Sequence, residues 1–309
     1  DSEYGLTATR QGAVHLYDGA TLALISTLTG ASAFDSVGDD GIAVLSDGDF
    51  VVRSSFWDDA EHALVDAGAA TLCSGTTGCS GEVSAANSLV GATANDLVGR
   101  SAVLALPNGG YVVGSAFWDL PSPPTVNVGA ATFCNGETGC TGTVTPGNSI
   151  TGTTLDDRIG GNLFSLPNGA YLIWSNVWDA TGPVVANVGA VVRCPATGCT
   201  GVVSAANALV GGTAQDAIGP PGVLGNGHYV VRSQSWDRPD TAAVDAGAAT
   251  FCNGATGCTG VVTSANSLVG SSTSDFVGAY VLSLASGHYV VGAPSWDDPG
   301  VMPNVGAVT

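Results

Sequence analysis

The chain has 309 residues, of which 45% are hydrophobic and 11% are charged, so it has enough apolar side chains for a buried core and does not resemble a disordered segment. Its formal net charge is −19, from 26 acidic residues and seven basic residues that are all arginine. Because nucleic acids and anionic membranes bind clustered cations, and because no apolar run approaches the roughly 20 residues of a membrane span, we expect no nucleic-acid partner and no membrane insertion.

The first 30 residues are predicted to form a partial repeat. Residues 4–10 and 12–17 are two short apolar runs, and they resemble a pair of strands found later in every full repeat. Because no earlier strand precedes them, we interpret them as an extra N-terminal hairpin. Such a hairpin completes a terminal sheet, caps an edge, or pairs with another molecule.

A full repeat is clearest between residues 96 and 157. Residues 101–106 are predicted to form strand A, and residues 111–117 form strand B. The turn Pro107-Asn108-Gly109 separates them, and Asn-Gly predicts a tight two-residue hairpin because both residues tolerate positive φ. The corresponding turns are Asp47-Gly48, Asn168-Gly169, Asn226-Gly227 and Ser286-Gly287.

A Trp-Asp pair ends each strand B and defines the period. After it come a variable loop (residues 120–127), strand C (128–133), a turn between two cysteines, and strand D (142–145). The period is about 60 residues, which indicates repeat architecture. The pairs are Trp57-Asp58, Trp118-Asp119, Trp178-Asp179, Trp236-Asp237 and Trp296-Asp297, and a partial strand at 305–309 ends the sequence.

The eight cysteines fall into four local pairs, each enclosing a Gly-rich turn. An even count paired within the repeat favours disulfides in an oxidising compartment over zinc, whose ligand sets converge on one point. We therefore expect an extracellular or cell-surface protein. The predicted pairs are Cys73 with Cys79, Cys134 with Cys140, Cys194 with Cys199, and Cys252 with Cys258.

These elements predict an all-β fold, since no stretch shows helical periodicity. Four short antiparallel strands per repeat are typical of a propeller blade. We expect a single repeat-built domain over residues 1–309: a β-propeller of five four-stranded repeats, grouped D-A-B-C, plus the N-terminal hairpin. A six-bladed ring and an open repeat array are the alternatives.

Several short motifs resemble the FG-GAP repeats of integrin α-subunit propellers and bacterial surface proteins. The Phe-Gly step is echoed by Val98-Gly99 and Ile159-Gly160, the Gly-Ala-Pro segment by Gly292-Ala293-Pro294, and the following strand opens at Gly129. The repeat is also similar to those of large filamentous-haemagglutinin-like proteins. FG-GAP blades often carry a calcium loop, but here a short turn replaces it, so the resemblance does not imply Ca²⁺ binding.

The residues repeated in every unit are candidate site residues. Five aspartates could form an acidic collar for cations, but we favour hydrogen bonding to their own turns. Five tryptophans could stack on carbohydrate, but we favour packing between repeats with each indole N–H paired. Trp174 breaks the pattern and is the best candidate for a singular surface contact. The aspartates are Asp35, Asp96, Asp157, Asp216 and Asp275, and the tryptophans are Trp57, Trp118, Trp178, Trp236 and Trp296.

No catalytic motif emerges. The sequence has no Gly-x-Ser-x-Gly elbow, and a phosphate loop is impossible without lysine. We expect no enzyme, cofactor or metal, but a secreted or surface-bound structural or adhesion protein, with self-association, surface proteins or glycans as partners. Its terminal edges would assemble a fibre or sheath. The alternatives are a glycan- or protein-binding propeller and a polysaccharide hydrolase or lyase with a loop-built site.

Overall fold

The computed structural model describes residues 10–298 and 302–309, so most of the predicted strand at 4–10 lies outside the described residues. Every regular element in the described part is a β-strand, in agreement with the all-β prediction. No helix in that part has the length and apolar character needed to cross a membrane.

The strands are short, as expected from turns that recur every few residues. In chain order they are β1 (Ala13–Tyr17), β2 (Leu24–Thr29), β3 (Ile42–Val44), β4 (Phe50–Ser54), β5 (Ala69–Cys73), β6 (Gly81–Glu82), β7 (Leu89–Val90), β8 (Val103–Ala105), β9 (Tyr111–Ser115), β10 (Leu120–Pro121), β11 (Pro124–Thr125), β12 (Ala130–Cys134), β13 (Gly142–Thr143), β14 (Ser149–Thr151), β15 (Asn162–Ser165), β16 (Tyr171–Ser175), β17 (Ala190–Cys194), β18 (Gly201–Val202), β19 (Ala208–Val210), β20 (Pro221–Val223), β21 (Tyr229–Ser233), β22 (Ala248–Cys252), β23 (Gly260–Val261), β24 (Leu268–Val269), β25 (Tyr280–Ser283), β26 (Tyr289–Ala293) and β27 (Ala307–Val308).

The chain divides into two compact units, Asp1–Ser165 with Ala196–Val202 and Leu166–Pro195 with Val203–Thr309. The first unit contains sheets with strand orders β1-β2-β6, β13-β7-β5-β4-β3 and β18-β14-β12-β9-β8. The second contains β16-β17-β19-β23, β20-β21-β22-β24 and β25-β26-β27. Each sheet is open, so the propeller stays a prediction.

Two strands with different partners follow the cysteine turn, where the sequence predicted strand D at 142–145 alone. Gly142–Thr143 leaves its own sheet and pairs in parallel with β7 of the preceding repeat. The fourth place in its own sheet is taken by β14, which pairs antiparallel with β12. The predicted grouping D-A-B-C is therefore replaced by A-B-C followed by β14, and the next repeat contributes a fifth strand. Consecutive repeats thus share backbone hydrogen bonds.

Asn148 explains why the chain reverses between these two strands. Its Oδ1 accepts from Thr145 N at 2.8 Å, and its Nδ2 donates to Thr143 O at 3.0 Å. An asparagine side chain that bonds both ways to nearby backbone stabilises a tight turn. This turn ends β13 after two residues and directs β14 back along β12.

The hairpin between strands A and B has a three-residue loop instead of the predicted two. Gly109 N donates to Leu106 O at 3.1 Å, and Leu106 N donates to Gly110 O at 2.8 Å. Gly109 has φ +86, whereas Asn108 has no positive φ. A type I turn followed by a left-handed glycine gives this loop, and it needs positive φ at the glycine alone.

The N-terminal strand that the structure describes is paired with the strand that follows it. Strand β1 pairs antiparallel with β2 through the register Ala13↔Thr29. Strand β1 lies in the segment 12–17 and takes the predicted C position, and β2 follows it as β14 follows β12. The predicted B strand at 4–10 lies mostly outside the described residues, so its pairing with β1 stays a prediction.

Strands B and C form the core of each sheet. All five residues of β9 are buried, and in β12 only Phe133 is partly exposed. Trp118, which follows β9 in a turn, is fully buried in a cluster that includes Val51 and Leu89 of the preceding repeat. The core is therefore continuous across this pair of repeats within the first unit.

All eight cysteines are disulfide-bonded. The bonds Cys73–Cys79, Cys134–Cys140 and Cys252–Cys258 each close a loop of sequence separation 6, and Cys194 and Cys199 are bonded as well. A loop of this size stabilises the fold by about 2 kcal/mol on the chain-entropy model. Four disulfides fit an oxidising compartment.

Candidate functional site: the aspartate clamp and the pocket at Trp174

The aspartate that opens each repeat is buried and saturated with hydrogen bonds. In the second repeat, Asp96 Oδ2 accepts from Ala92 N at 2.7 Å and from Thr93 N at 2.8 Å. Its Oδ1 accepts from Thr93 Oγ1 at 2.7 Å and from Asp119 N at 2.9 Å. Four bonds use the whole acceptor capacity of a carboxylate.

The aspartate of the Trp-Asp pair continues this network. Asp119 Oδ1 accepts from Asn127 N at 2.7 Å and so fixes the far end of the variable loop, eight residues later. We call these two residues of one repeat, here Asp96 and Asp119, the aspartate clamp. The bond from the end of the variable loop to the aspartate of the Trp-Asp pair recurs in the other repeats: from Asp66 N to Asp58, from Asn187 N to Asp179, from Asp245 N to Asp237 and from Asn304 N to Asp297.

The clamp leaves no carboxylate oxygen of Asp96 open to a cation. The corresponding residues Asp35, Asp157, Asp216 and Asp275 are 0–1% exposed, like Asp96 itself. Within residues 10–298 and 302–309, no group of three or more His, Cys, Asp or Glu side chains is arranged to hold a metal ion. The geometry gives these aspartates a role in closing turns and loops.

Burial raises the pKa values of Asp35 and Asp96 above the ordinary value for aspartate. Burial also raises the pKa values of Asp66 and Asp245, which lie at the ends of variable loops. The folded protein therefore binds more protons than the unfolded chain at pH values between the ordinary pKa of 3.8 and the raised ones.

We expect the thermal midpoint of unfolding to rise as the pH falls from about 7 to about 4.5, since these carboxyls stabilise the fold when protonated. As the pH falls, the negative net charge becomes smaller, and the weaker repulsion between carboxylates also stabilises the folded protein. Hydrogen bonds lower the pKa of the exposed residues Asp18, Asp156 and Asp240, so their contribution is lost below this window. Calorimetry across this range checks the trend, and a midpoint that falls with pH would contradict it.

The Trp-Asp indoles are buried, with Trp57, Trp118, Trp178 and Trp236 at most 4% exposed. They cannot stack on a carbohydrate without local unfolding. We expected each indole N–H to have a partner, but Nε1 of Trp57, Trp118 and Trp178 has none in the part of the chain that the structure describes. The large apolar area that each indole buries outweighs the cost of an unpaired N–H.

The glycine before strand C allows consecutive repeats to touch. Gly129 forms a parallel bridge to Ile159 of the next repeat, and its φ is +71. Gly68, Gly189 and Gly247 also have positive φ and lie against Val98, Ile218 and Val277.

Trp174 borders a pocket in the second unit with a volume of about 290 Å³. The pocket is built from equivalent positions of successive repeats: Trp174 corresponds to Arg232, and Asn176 corresponds to Gln234. The indole Nε1 donates to Ile218 O at 2.7 Å, which fixes one edge of the ring. Gly219 lies against this edge, because a Cβ there would be 2.1 Å from Nε1.

Sequence reasoning singled out Trp174 but missed its neighbours and the second half of the clamp. The clamp has a sequence signal: in four repeats, eight residues separate the second aspartate from the residue whose N–H it binds. The pocket has no comparable signal, because Arg232 is 58 positions from Trp174 and meets it only through the packing of repeats.

A model of a family described as a repeat of unknown function (DUF5650) matches residues 44–100, 105–161, 165–220, 223–279 and 283–309. Each full match covers about 57 residues, close to the period of the Trp-Asp pairs. The match supports a repeat protein and does not support the FG-GAP identity that the short motifs suggested. A comparison with curated proteins found no match.

Proposed function

Because the chain belongs to the DUF5650 family of repeats, we propose that its function is architectural: a non-enzymatic, extracellular or cell-surface structural or adhesion protein. The observation that carries this proposal is the strand shared between consecutive repeats. Strands β6, β13, β18 and β23 each pair in parallel with a strand of the preceding repeat.

The repeated side chains support the same function. The clamp aspartates bind backbone N–H groups, the Trp-Asp indoles are buried, and the cysteines are disulfide-bonded. Residues used in this way stabilise a scaffold, and the disulfides favour a location outside the cytosol.

The terminal sheets suggest how copies assemble. In the described residues, β27 is the last strand of the sheet β25-β26-β27, where it pairs with β26. An unpaired edge is a template for another strand. We propose that β27 of one copy pairs with the N-terminal sheet of the next, because such a head-to-tail contact builds a fibre or sheath.

One residue of β27 allows a test that leaves the fold intact. Val291 and Thr309 exchange two hydrogen bonds, of 2.7 and 3.0 Å, so the adjacent pair Gly292↔Val308 is not hydrogen-bonded. The N–H and C=O of Val308 therefore point to the open edge.

We expect Val308→Pro to abolish concentration-dependent association, because proline removes the outward N–H and keeps the pairing to β26. Val308→Thr, which keeps the N–H and the β-branched shape, is the matched control and should associate like the wild type. Light scattering and electron microscopy of the full chain make the comparison. A wild type that stays monomeric at high concentration, or a proline variant that still associates, would contradict this mode of assembly.

The same images test the propeller. A closed ring of five or six blades in single particles would support it, and an extended row of sheets would favour the open array. Broad screens for polysaccharide and peptide cleavage test the non-enzymatic assignment, since reproducible turnover by the purified chain would contradict it.

A further inference from the structure

We propose that the pocket at Trp174 binds one carboxylate-bearing sugar residue, such as a uronic acid. This function goes beyond the scaffold and does not depend on the terminal edges. It rests on three features of the pocket: an aromatic side chain, an arginine without an acidic partner, and amide side chains with free hydrogen-bonding capacity.

Trp174 stands where the other repeats have arginine or glycine. Gly114 and Gly292 show that the repeat needs no aromatic side chain at this position. A tryptophan is therefore not required by the repeat. It is only partly buried and lines the cavity. An indole in a cavity of this kind packs against the C–H groups of a sugar ring.

Arg232 supplies the positive charge. The chain has 26 acidic residues for seven arginines, yet in residues 10–298 and 302–309 Arg232 forms no ion pair, and the sole hydrogen bond of its side chain is from Nε to Pro220 O at 3.4 Å. The equivalent Arg53 instead donates to three carbonyls at 2.8–2.9 Å. Other arginines pair with carboxylates, as Arg158 does with Asp156 and Arg238 with Asp240.

The remaining polar groups fit a sugar. Asn176, Gln234 and Ser235 line the cavity, and their side chains form no hydrogen bond within the described residues. Amides and hydroxyls both donate and accept, as sugar hydroxyls do. The guanidinium can bind a carboxylate through two parallel hydrogen bonds.

The volume of the pocket and the net charge of the protein restrict the ligand to a small molecule with one carboxylate. A volume of about 290 Å³ is at the lower end of small-molecule pockets, so it suits one sugar ring. The net charge of −19 repels a polyanion, so a ligand with a single carboxylate is favoured. A peptide fits less well: the nearby Ala279 N is already bonded to Phe276 O at 3.0 Å, and the lining turns offer no open strand edge.

The test is a ¹H–¹⁵N NMR titration of the full chain with glucuronate, glucose and acetate. We expect glucuronate to bind with a Kd of about 1 mM, and glucose and acetate to bind about tenfold more weakly, since each lacks one half of the recognition. The Nε–H signal of Arg232 and the Nε1–H signal of Trp174 should shift with glucuronate.

Arg232→Gln should weaken glucuronate binding about tenfold and remove its preference over glucose. The substitution is compatible with the fold because glycine occupies this position in two repeats. Arg158→Gln, which alters an exposed arginine in the first unit, is the matched control and should bind like the wild type. Gln234→Ala, at an exposed position, gives a second variant and should weaken both sugars.

Four outcomes would overturn the proposal. Equal affinity for acetate and glucuronate would indicate a general anion site. Equal affinity for glucose and glucuronate would show that Arg232 does not bind the carboxylate. Tighter binding of a short peptide through its C-terminal carboxylate would assign the pocket to peptides. Unchanged glucuronate binding in both pocket variants would place the ligand elsewhere.

Discussion

Replacing Asp96 by alanine is expected to lower the free energy of unfolding by about 4 kcal/mol, because the backbone N–H groups of Ala92, Thr93 and Asp119 would lose their acceptor. Each unpaired buried donor costs about 1–3 kcal/mol. Burial raises the pKa of Asp96, so removing the carboxylate also relieves some desolvation. We therefore expect less than the sum of three lost bonds. Denaturant unfolding measures the change.

Asp156→Ala is the matched control. Asp156 is in the corresponding turn of the next repeat, but its carboxylate is exposed, pairs with the exposed Arg158 at 3.1 Å and accepts from Asn127 Nδ2 at 2.9 Å. A surface ion pair contributes about 0–1 kcal/mol and one partly exposed hydrogen bond about 1 kcal/mol. Asp156 has φ +62, which adds some strain for alanine, so this variant should lose about 2 kcal/mol, clearly less than Asp96→Ala. If the two alanine variants lost equal stability, the clamp would not be the source of the effect.

The local part of this fold could be predicted from the sequence. Strands A, B and C are each bounded by turn residues such as Asn108-Gly109 and carry a continuous apolar run, so their existence needs no knowledge of their partners. Their ends are less certain: β9 ends at Ser115, three residues before Trp118, because the backbone turns there.

The pairing between repeats could not be predicted in the same way. Strand β13 has two residues, Gly142 and Thr143, which is too short for any periodicity, and its partner β7 lies about 50 residues earlier. The same limit applies to the sites. The acceptor role of Asp96 follows from its turn, but the meeting of Trp174 and Arg232 depends on the packing of successive repeats.

The glycine before strand C gives a second large expected effect, because it lies where consecutive repeats touch. An ideal Cβ on Gly129 would be 2.3 Å from Ile159 O and 2.4 Å from Ile159 N. Both atoms belong to backbone, and Ile159 N is bonded to Val128 O at 3.2 Å. The clash can therefore be relieved only by moving the two repeats apart.

Gly129→Ala is expected to lower the free energy of unfolding by about 4 kcal/mol, from about 1–2 kcal/mol of left-handed strain and about 1–3 kcal/mol of overpacking. Gly142→Ala separates these two causes, since Gly142 has φ +80 and nothing within 4 Å of its ideal Cβ. That control should lose about 1–2 kcal/mol from strain alone. Denaturant unfolding of both variants gives the difference, which measures the contact between repeats. Equal losses would mean that backbone conformation, and not the close approach of Ile159, determines why glycine stands at this position.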